Sequence, residues 1–154
     1  MAYWLMESEP DECSIDELRD APGRTVAWTG VRNYQARNFL RDAMHPGDGV
    51  LFYHSSCPEP GIAGLADVVS EHHPDETQFD PQSPYFDPRA KRDSPRWFGV
   101  DVRFVRKTRL LSLAQLRAAP ELATLRMLQR GSRLSITPVT IAEWTAVLRR
   151  LDSV

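Results

Sequence analysis

Apolar and polar positions along this chain follow two periods, and the switches between them mark its elements. "AYWLMES" (2–8) reads as a first strand, ended by Pro10. Ser14 with Glu17 three residues later predicts a capping-box start to a short helix over "SIDELRD". Pro22 and Gly23 break that helix, and "RTVAW" (24–28) is extended. The stretch "WTGVRNYQARNFLRD" then enters a helix near Asn33, after Gly30. At about 100° per residue, Ala36, Phe39, Leu40 and Ala43 form its core stripe, with Tyr34, Arg37, Asn38 and Arg41 opposite.

"HPGDG" is a turn into "VLFYHS" (50–55), a strand apolar on both faces. "IAGLADVVSEHH" (62–73) is a longer strand in which Gly64 marks a bulge or a close backbone approach. Residues 74–95 hold five prolines and read as an excursion loop, long enough to suggest a packing or functional role. "RWFGVDVRF" alternates, with Phe98, Val100, Val102 and Phe104 on one face. "LSLAQLRAA" and "ELATLRML" are short helices parted by Pro120; "RLSITPV" is a last strand, and Thr140 caps a helix over "IAEWTAVLRRL". Strands separated by short helices, without repeat or linker, predict one α+β domain over 1–154. A small mixed or antiparallel barrel fits this order better than a doubly wound sheet.

Composition adds little to this until charge is mapped. With 42% hydrophobic and 26% charged residues the chain is an ordinary globular one. No apolar run approaches the roughly 20 residues of a membrane span. The N-terminus meets acid at Glu7, unlike a signal peptide, and Cys13 and Cys57 lack CxxC spacing, so reduced thiols in the cytoplasm are expected. A monomer is the expected state. The net charge of −2 conceals an asymmetry. Seven carboxylates crowd Glu7–Asp20 against Arg19, whereas Arg96–Arg133 holds nine basic residues against Asp101 and Glu121. Most of the cations are arginine, which forks onto phosphate and stacks on bases.

Several clusters carry candidate chemistry. Trp28, Gly30, Asn33, Tyr34 and Arg37 concentrate stacking and hydrogen-bonding groups where a glycine permits close approach. "LFYHSS" places Tyr53 and Ser55 on one strand face and His54 on the other. Ser8 lies between Glu7 and Glu9; these carboxylates, with His54, are the groups a nucleotide- or base-directed hydrolase would use. The adjacent His72 and His73 of "EHHPDE" point to opposite faces of a strand and read as a surface end, not a metal site. No Walker loop, GxGxxG, zinc or nucleophile-elbow signature is present, and no cofactor or metal is expected. Aromatics with a basic groove suit a single-stranded or flipped base, and Tyr85 and Trp97 add further rings.

"YWLMESEP", "WTGVRNYQARNFL", "LFYHS", "PGIAGLADVV", "TQFDP", "RWFGVDVRFV" and "RLSITPV", in this order, resemble the EVE domain family across essentially the whole chain. The resemblance implies a PUA-like mixed β pseudo-barrel surrounded by short helices, related to the YTH and ASCH domains. It implies non-catalytic binding of DNA or RNA carrying a modified base, a cytosine or an adenine. The implied pocket draws on Ser8, Trp28, Gly30, Arg32, Asn33, Tyr34, Arg37, Tyr53, Ser55 and Ser135. Arg96, Arg103, Arg130 and Arg133 are expected at the phosphates. The chain departs from the "WDGVRN" and "MKSEP" of many relatives at Thr29 and Glu7. The alternatives are the hydrolase above and a small-metabolite or protein-interaction module using the same pocket.

Overall fold

In the computed structural model, residues 1–152 are described; Ser153 and Val154, the end of the expected unit, lie outside them. Six strands, β1 (Tyr3–Ser8), β2 (Thr25–Ala27), β3 (Gly49–His54), β4 (Gly61–Val68), β7 (Asp101–Ser112) and β8 (Ile136–Val139), form one sheet in the order β2-β7-β4-β3-β1-β8. β1 and β3 run parallel, with Trp4 opposite Val50 and Ser8 opposite His54. The other neighbours are antiparallel, so the sheet is mixed, as expected. Two short strands, β5 (His73–Pro74) and β6 (Phe98–Gly99), pair separately.

Strand periodicity explains why the central strands are apolar on both faces. Trp4 and Met6 of β1, Val50 and Phe52 of β3, and Val68 of β4 face one core. That core also holds Ile15 and Leu18 of α1 (Ile15–Asp20) and Ala36 of α2 (Tyr34–Asn38), with Leu40 just beyond it. Leu5, Leu51, Ile62 and Leu65 face a second core, against Leu116 of α3 (Leu113–Ala118) and Val147 and Leu151 of α4 (Ile141–Asp152). Helices therefore cover both faces of the sheet. Trp28 belongs to the first core, and its position at that core's margin is what places the site.

Local signals mostly act as read. Ser14 and Glu17 form a reciprocal capping box on α1. Thr140 and Glu143 do the same for α4: the Glu143 N–H donates to Thr140 Oγ1 at 3.1 Å and the Thr140 N–H to Glu143 Oε1 at 2.9 Å. The β4 register shifts between Ile62 and Gly64, where the bulge was expected. Four elements differ. β4 ends at Val68, and Ser70 Oγ accepts the Asp101 N–H at 2.8 Å as the chain turns away. β7 continues to Ser112 because β4 pairs with it that far. "ELATLRML" is two short 3-10 turns, Pro120–Leu122 and Arg126–Leu128, because the backbone turns non-helical at Leu125 (φ −57, ψ 122) between them; Thr124 Oγ1 there donates to Glu143 Oε2 at 2.7 Å. α2 gives way at Phe39–Ala43 to a single wider π-type turn.

Candidate functional site

The parallel ends of β1 and β3 build one wall of a cavity. The Ser55 N–H donates to Ser8 O at 2.9 Å, and the Glu7 N–H to Ser135 O at 2.8 Å, which brings three serines to one rim. Trp28 leaves β2 with its N–H donated to Val100 O at 2.8 Å. A Cβ on Gly99 would lie 2.2 Å from Trp28 O, so the two backbones cross this closely only at glycine. The indole is 7% exposed and meets Phe52 edge-on at 5.6 Å. The indoles of Trp4 and Trp97 donate to Asp48 and Asp87, at 3.0 and 2.9 Å. Among the described residues the Trp28 indole N–H has no acceptor, and Trp28 is not sealed inside the core. It borders two adjoining cavities of ≈ 350 and ≈ 310 Å³ that share Ser8, Glu12, Trp28 and Thr29.

The excursion loop supplies the opposite wall. Asp75, 1% exposed, accepts from the Gly30 N–H (2.8 Å), Arg32 Nη1 (3.0 Å), the Thr77 N–H (2.9 Å) and Thr77 Oγ1 (2.6 Å). Burial works against its charge, but the hydrogen bonds from Thr77, Gly30 and Arg32 outweigh that and hold the carboxyl below its ordinary value. Arg32 carries the tie onward, donating to Tyr85 O through Nε (3.1 Å) and Nη2 (2.7 Å). The Tyr85 ring is thereby laid over Gly30, where a Cβ would sit 2.8 Å from Cζ. Gly30 also has φ +84, so the position favours glycine twice over. The Tyr85 hydroxyl donates to Glu12 and spans the loop and the turn after β1; this bond, with burial, pushes the phenol up to about 12.

Acceptors dominate the lining. Ser8 Oγ spends its proton on Cys13 O at 2.7 Å and faces a ligand with lone pairs only. Glu7, Glu9 and Glu12 add carboxylates, and burial pushes the Glu7 carboxyl up from its ordinary value. The fixed donors are the Trp28 N–H and Arg133, while Thr29, Ser55 and Ser135 contribute hydroxyls. Val26, Ala27 and Val31 supply apolar surface beside the indole.

Six of the expected residues thus meet at the ≈ 310 Å³ cavity: Ser8, Trp28, Gly30, Ser55, Arg133 and Ser135. The rest do not. Asn33 caps α2, its Oδ1 accepting from the Gln35 and Ala36 N–H groups at 2.8 and 3.1 Å. Arg32 is consumed by Asp75 and Tyr85. Tyr34 stacks on Trp97 at 4.8 Å, and Arg37 lies over Tyr34 at 4.7 Å while donating to Arg96 O at 3.0 Å. Tyr34, Arg37 and Arg96 therefore form a separate surface cluster. Tyr53 is buried in the second core; burial and Glu7 push its phenol up to about 12, and its side of the sheet opens on a different cavity. Arg103 projects from β7 and faces Asp67 at 3.8 Å. Arg130 lines a groove beyond Arg133.

His54 Nε2 accepts the Ile15 N–H at 3.1 Å, and burial lowers its pKa, so it serves as a neutral cap on α1 rather than an acid–base group. His73 Nε2 meets Asp101 at 2.9 Å, whereas His72 packs edge-on against Phe98. Among the described residues no group of three His, Cys, Asp or Glu is placed to hold a metal, and no helix is long and apolar enough to cross a membrane. Glu12 and Asp75 escaped the sequence reading. Each acts through a partner far along the chain, and only the proline-rich length of the loop hinted at such a role.

A mixed sheet clad on both faces by short helices, with a half-open polar cavity where two parallel strands end, defines a PUA-like binding domain. Residues 2–150 match the EVE domain family, and the chain belongs to it. Human thymocyte nuclear protein 1 is 45% identical over 96% of this chain and 72% of its own length, and its name describes no catalytic activity. A solved structure from Pseudomonas syringae superposes with a TM-score of 0.92 at 49% identity, covering 97% of this chain and 99% of that one. The human THYN1 protein in complex with 5-methylcytosine-containing DNA superposes with a TM-score of 0.94 at 43% identity, covering 100% and 99%.

Proposed function

We propose that this chain is a non-catalytic reader of nucleic acid that takes a modified, extruded cytosine into the cavity beside Trp28. The observation that carries the reading is the Trp28 indole, packed on its core side and bordering the cavity with an unpartnered N–H. An acceptor-rich wall suits a base that presents an amine, since carboxylates accept from cytosine N4. Val31 and Trp28, which border the cavity, supply the apolar surface that a 5-methyl group would meet. The solved complex of a 43% identical relative with 5-methylcytosine DNA supports the same class of ligand. Thymine carries the same methyl but an O4 acceptor, which the carboxylates would oppose. The free thiols of Cys13 and Cys57 agree with a reducing compartment such as the cytoplasm.

The test is a titration against oligonucleotides bearing 5-methylcytosine, cytosine or thymine at one position. 5-Methylcytosine should bind about tenfold more tightly than cytosine, the value of one methyl in an apolar slot, and thymine should bind more weakly than 5-methylcytosine. Equal affinity for all three, unaffected by Trp28→Ala, would overturn the reading. The raised Glu7 carboxyl is the one feature that favours the hydrolase alternative. Mass spectrometry of an oligonucleotide recovered after incubation distinguishes the two: an intact base supports a reader, and a released or altered base supports an enzyme.

A further inference from the structure

Beyond Arg133 the acidic cavity gives way to its electrostatic opposite. A groove of ≈ 450 Å³ runs between the first turn of α2 and the segment 126–134, lined by Gln35, Arg126, Arg130, Arg133 and Ser132. Its three guanidiniums lack the carboxylate partner that eight other arginines among the described residues have. Arg41, Arg103 and Arg106 each face a carboxylate, at 2.8, 3.8 and 2.8 Å. Among the described residues Arg126, Arg130 and Arg133 have none. Arg126 instead rests over the Phe39 ring at 5.5 Å. The segment carrying them is fixed: Gln129 Nε2 donates to Ala123 O and Leu125 O at 2.9 and 3.1 Å, and the Ser132 N–H closes a turn onto Gln129 O at 3.1 Å. Three arginines without a carboxylate partner thus line one groove on a pinned loop, and arginine forks match phosphate oxygens.

Arg133 lines both this groove and the cavity beside Trp28. The two surfaces are continuous but opposite in sign, with Glu7, Glu9 and Glu12 on one side of Arg133 and Arg126 and Arg130 on the other. A nucleotide divides in the same way, into a base bearing donors and a phosphodiester bearing negative charge. The carboxylates repel phosphate from the cavity mouth, so a strand delivering its base there has one favourable exit. We propose that the Arg126–Arg130–Arg133 groove holds the backbone phosphates that flank the base in the Trp28 cavity. This rests on the base-reading function and adds the path of the strand. Of the expected phosphate ligands it keeps Arg130 and Arg133 and adds Arg126; Arg96, beside Tyr34, and Arg103, opposite Asp67, line neither the groove nor the cavity.

Phosphate contacts set affinity and its salt dependence, whereas base contacts set preference, so the two sites are separable. The protein is titrated with single-stranded oligonucleotides, with and without one 5-methylcytosine, between about 50 and 200 mM salt. Arg126→Gln/Arg130→Gln should lower the slope of log affinity against log salt by about 1.4, at about 0.7 per lost contact, with the preference for the modified base unchanged. Arg41→Gln, which removes an exposed arginine outside the groove, should leave the slope alone. The inference is overturned if the double variant keeps the wild-type slope or if Arg41→Gln lowers it equally. Direct binding of poly-glutamate that Arg126→Gln/Arg130→Gln abolishes, without any binding of oligonucleotide, would also overturn it, by marking the groove as a docking site for acidic protein. If the wild type shows no preference but the double variant loses slope, the base-reading function fails and the groove stands.

Discussion

Trp28–Gly30 and Asn33–Arg37 are parted only by Val31 and Arg32, are similarly rich in polar and aromatic groups, and are used in opposite ways. The first segment engages its backbone N–H groups on Val100 and Asp75 but leaves side-chain capacity at a cavity: the Trp28 indole N–H lacks an acceptor among the described residues and Thr29 lines the space. In the second, most polar groups are engaged by the protein itself, Asn33 as a cap, Tyr34 against Trp97 and Arg37 on Arg96 O. Binding capacity in a sequence is therefore a property of which neighbours the fold supplies. The excursion loop reaches the helix with Arg96 and Trp97 and satisfies it, and it passes the preceding segment with Tyr85 and leaves a gap.

The largest contrast is expected between Trp28→Ala and Tyr34→Ala. Trp28→Ala removes a core indole and should cost about 3–5 kcal/mol of stability in urea unfolding, together with the preference for 5-methylcytosine. Tyr34→Ala gives up one stacked pair, about 1 kcal/mol, and should leave the preference within twofold of wild type.

Asp75→Asn should come next. It breaks the buried tie between Gly30, Arg32 and Thr77, at a cost of about 3 kcal/mol, and should weaken modified-base binding by releasing Tyr85. The sign of its pH dependence follows from its depressed carboxyl. A carboxylate held below its ordinary pKa stabilises the fold above that ordinary value, and this stability is lost as pH falls through the depressed one. Urea midpoints of the wild type should therefore drop on acidification through this range, and those of Asp75→Asn should drop less.

Gly30→Ala is expected to be milder in stability, about 1–2 kcal/mol for a side chain at positive φ. It should nonetheless displace Tyr85 and reduce base binding more than its thermodynamic cost suggests. Asn33→Ala should cost about 1 kcal/mol, the value of a helix cap, and leave base discrimination unchanged. An Asn33→Ala variant that loses preference while remaining folded would return the helix to the site.

The degree to which all this was readable follows the sequence distance of the interactions. The α1 and α4 capping boxes, the two-faced β3 and the turn before it are local patterns, and each stands where periodicity and caps put it. The serines of the rim were readable because they end recognisable strands. After Asn33, helical periodicity shows which face meets the core and says nothing about what covers the other, where Trp97 stacks on Tyr34 and Arg96 O accepts from Arg37. Asp75 looked like part of a polar strand end because its partners Gly30 and Arg32 lie 45 and 43 residues away. The 121–128 segment is not one helix: Leu125 is non-helical, and its carbonyl is taken by the Gln129 side chain and the Leu128 N–H.

The central claim is that Trp28 offers an open indole to a base while its neighbours do not, and it is tested most directly by the indole N–H signals in an amide-correlation NMR spectrum. The four tryptophans are assigned by single Trp→Phe variants, and the protein is titrated with a short oligonucleotide carrying one 5-methylcytosine. The Trp28 indole signal should move most, the Trp97 and Trp4 signals should hold because their N–H groups remain on Asp87 and Asp48, and unmodified oligonucleotide should shift Trp28 less. A titration that moves Trp97 and leaves Trp28 in place would contradict the assignment of the site.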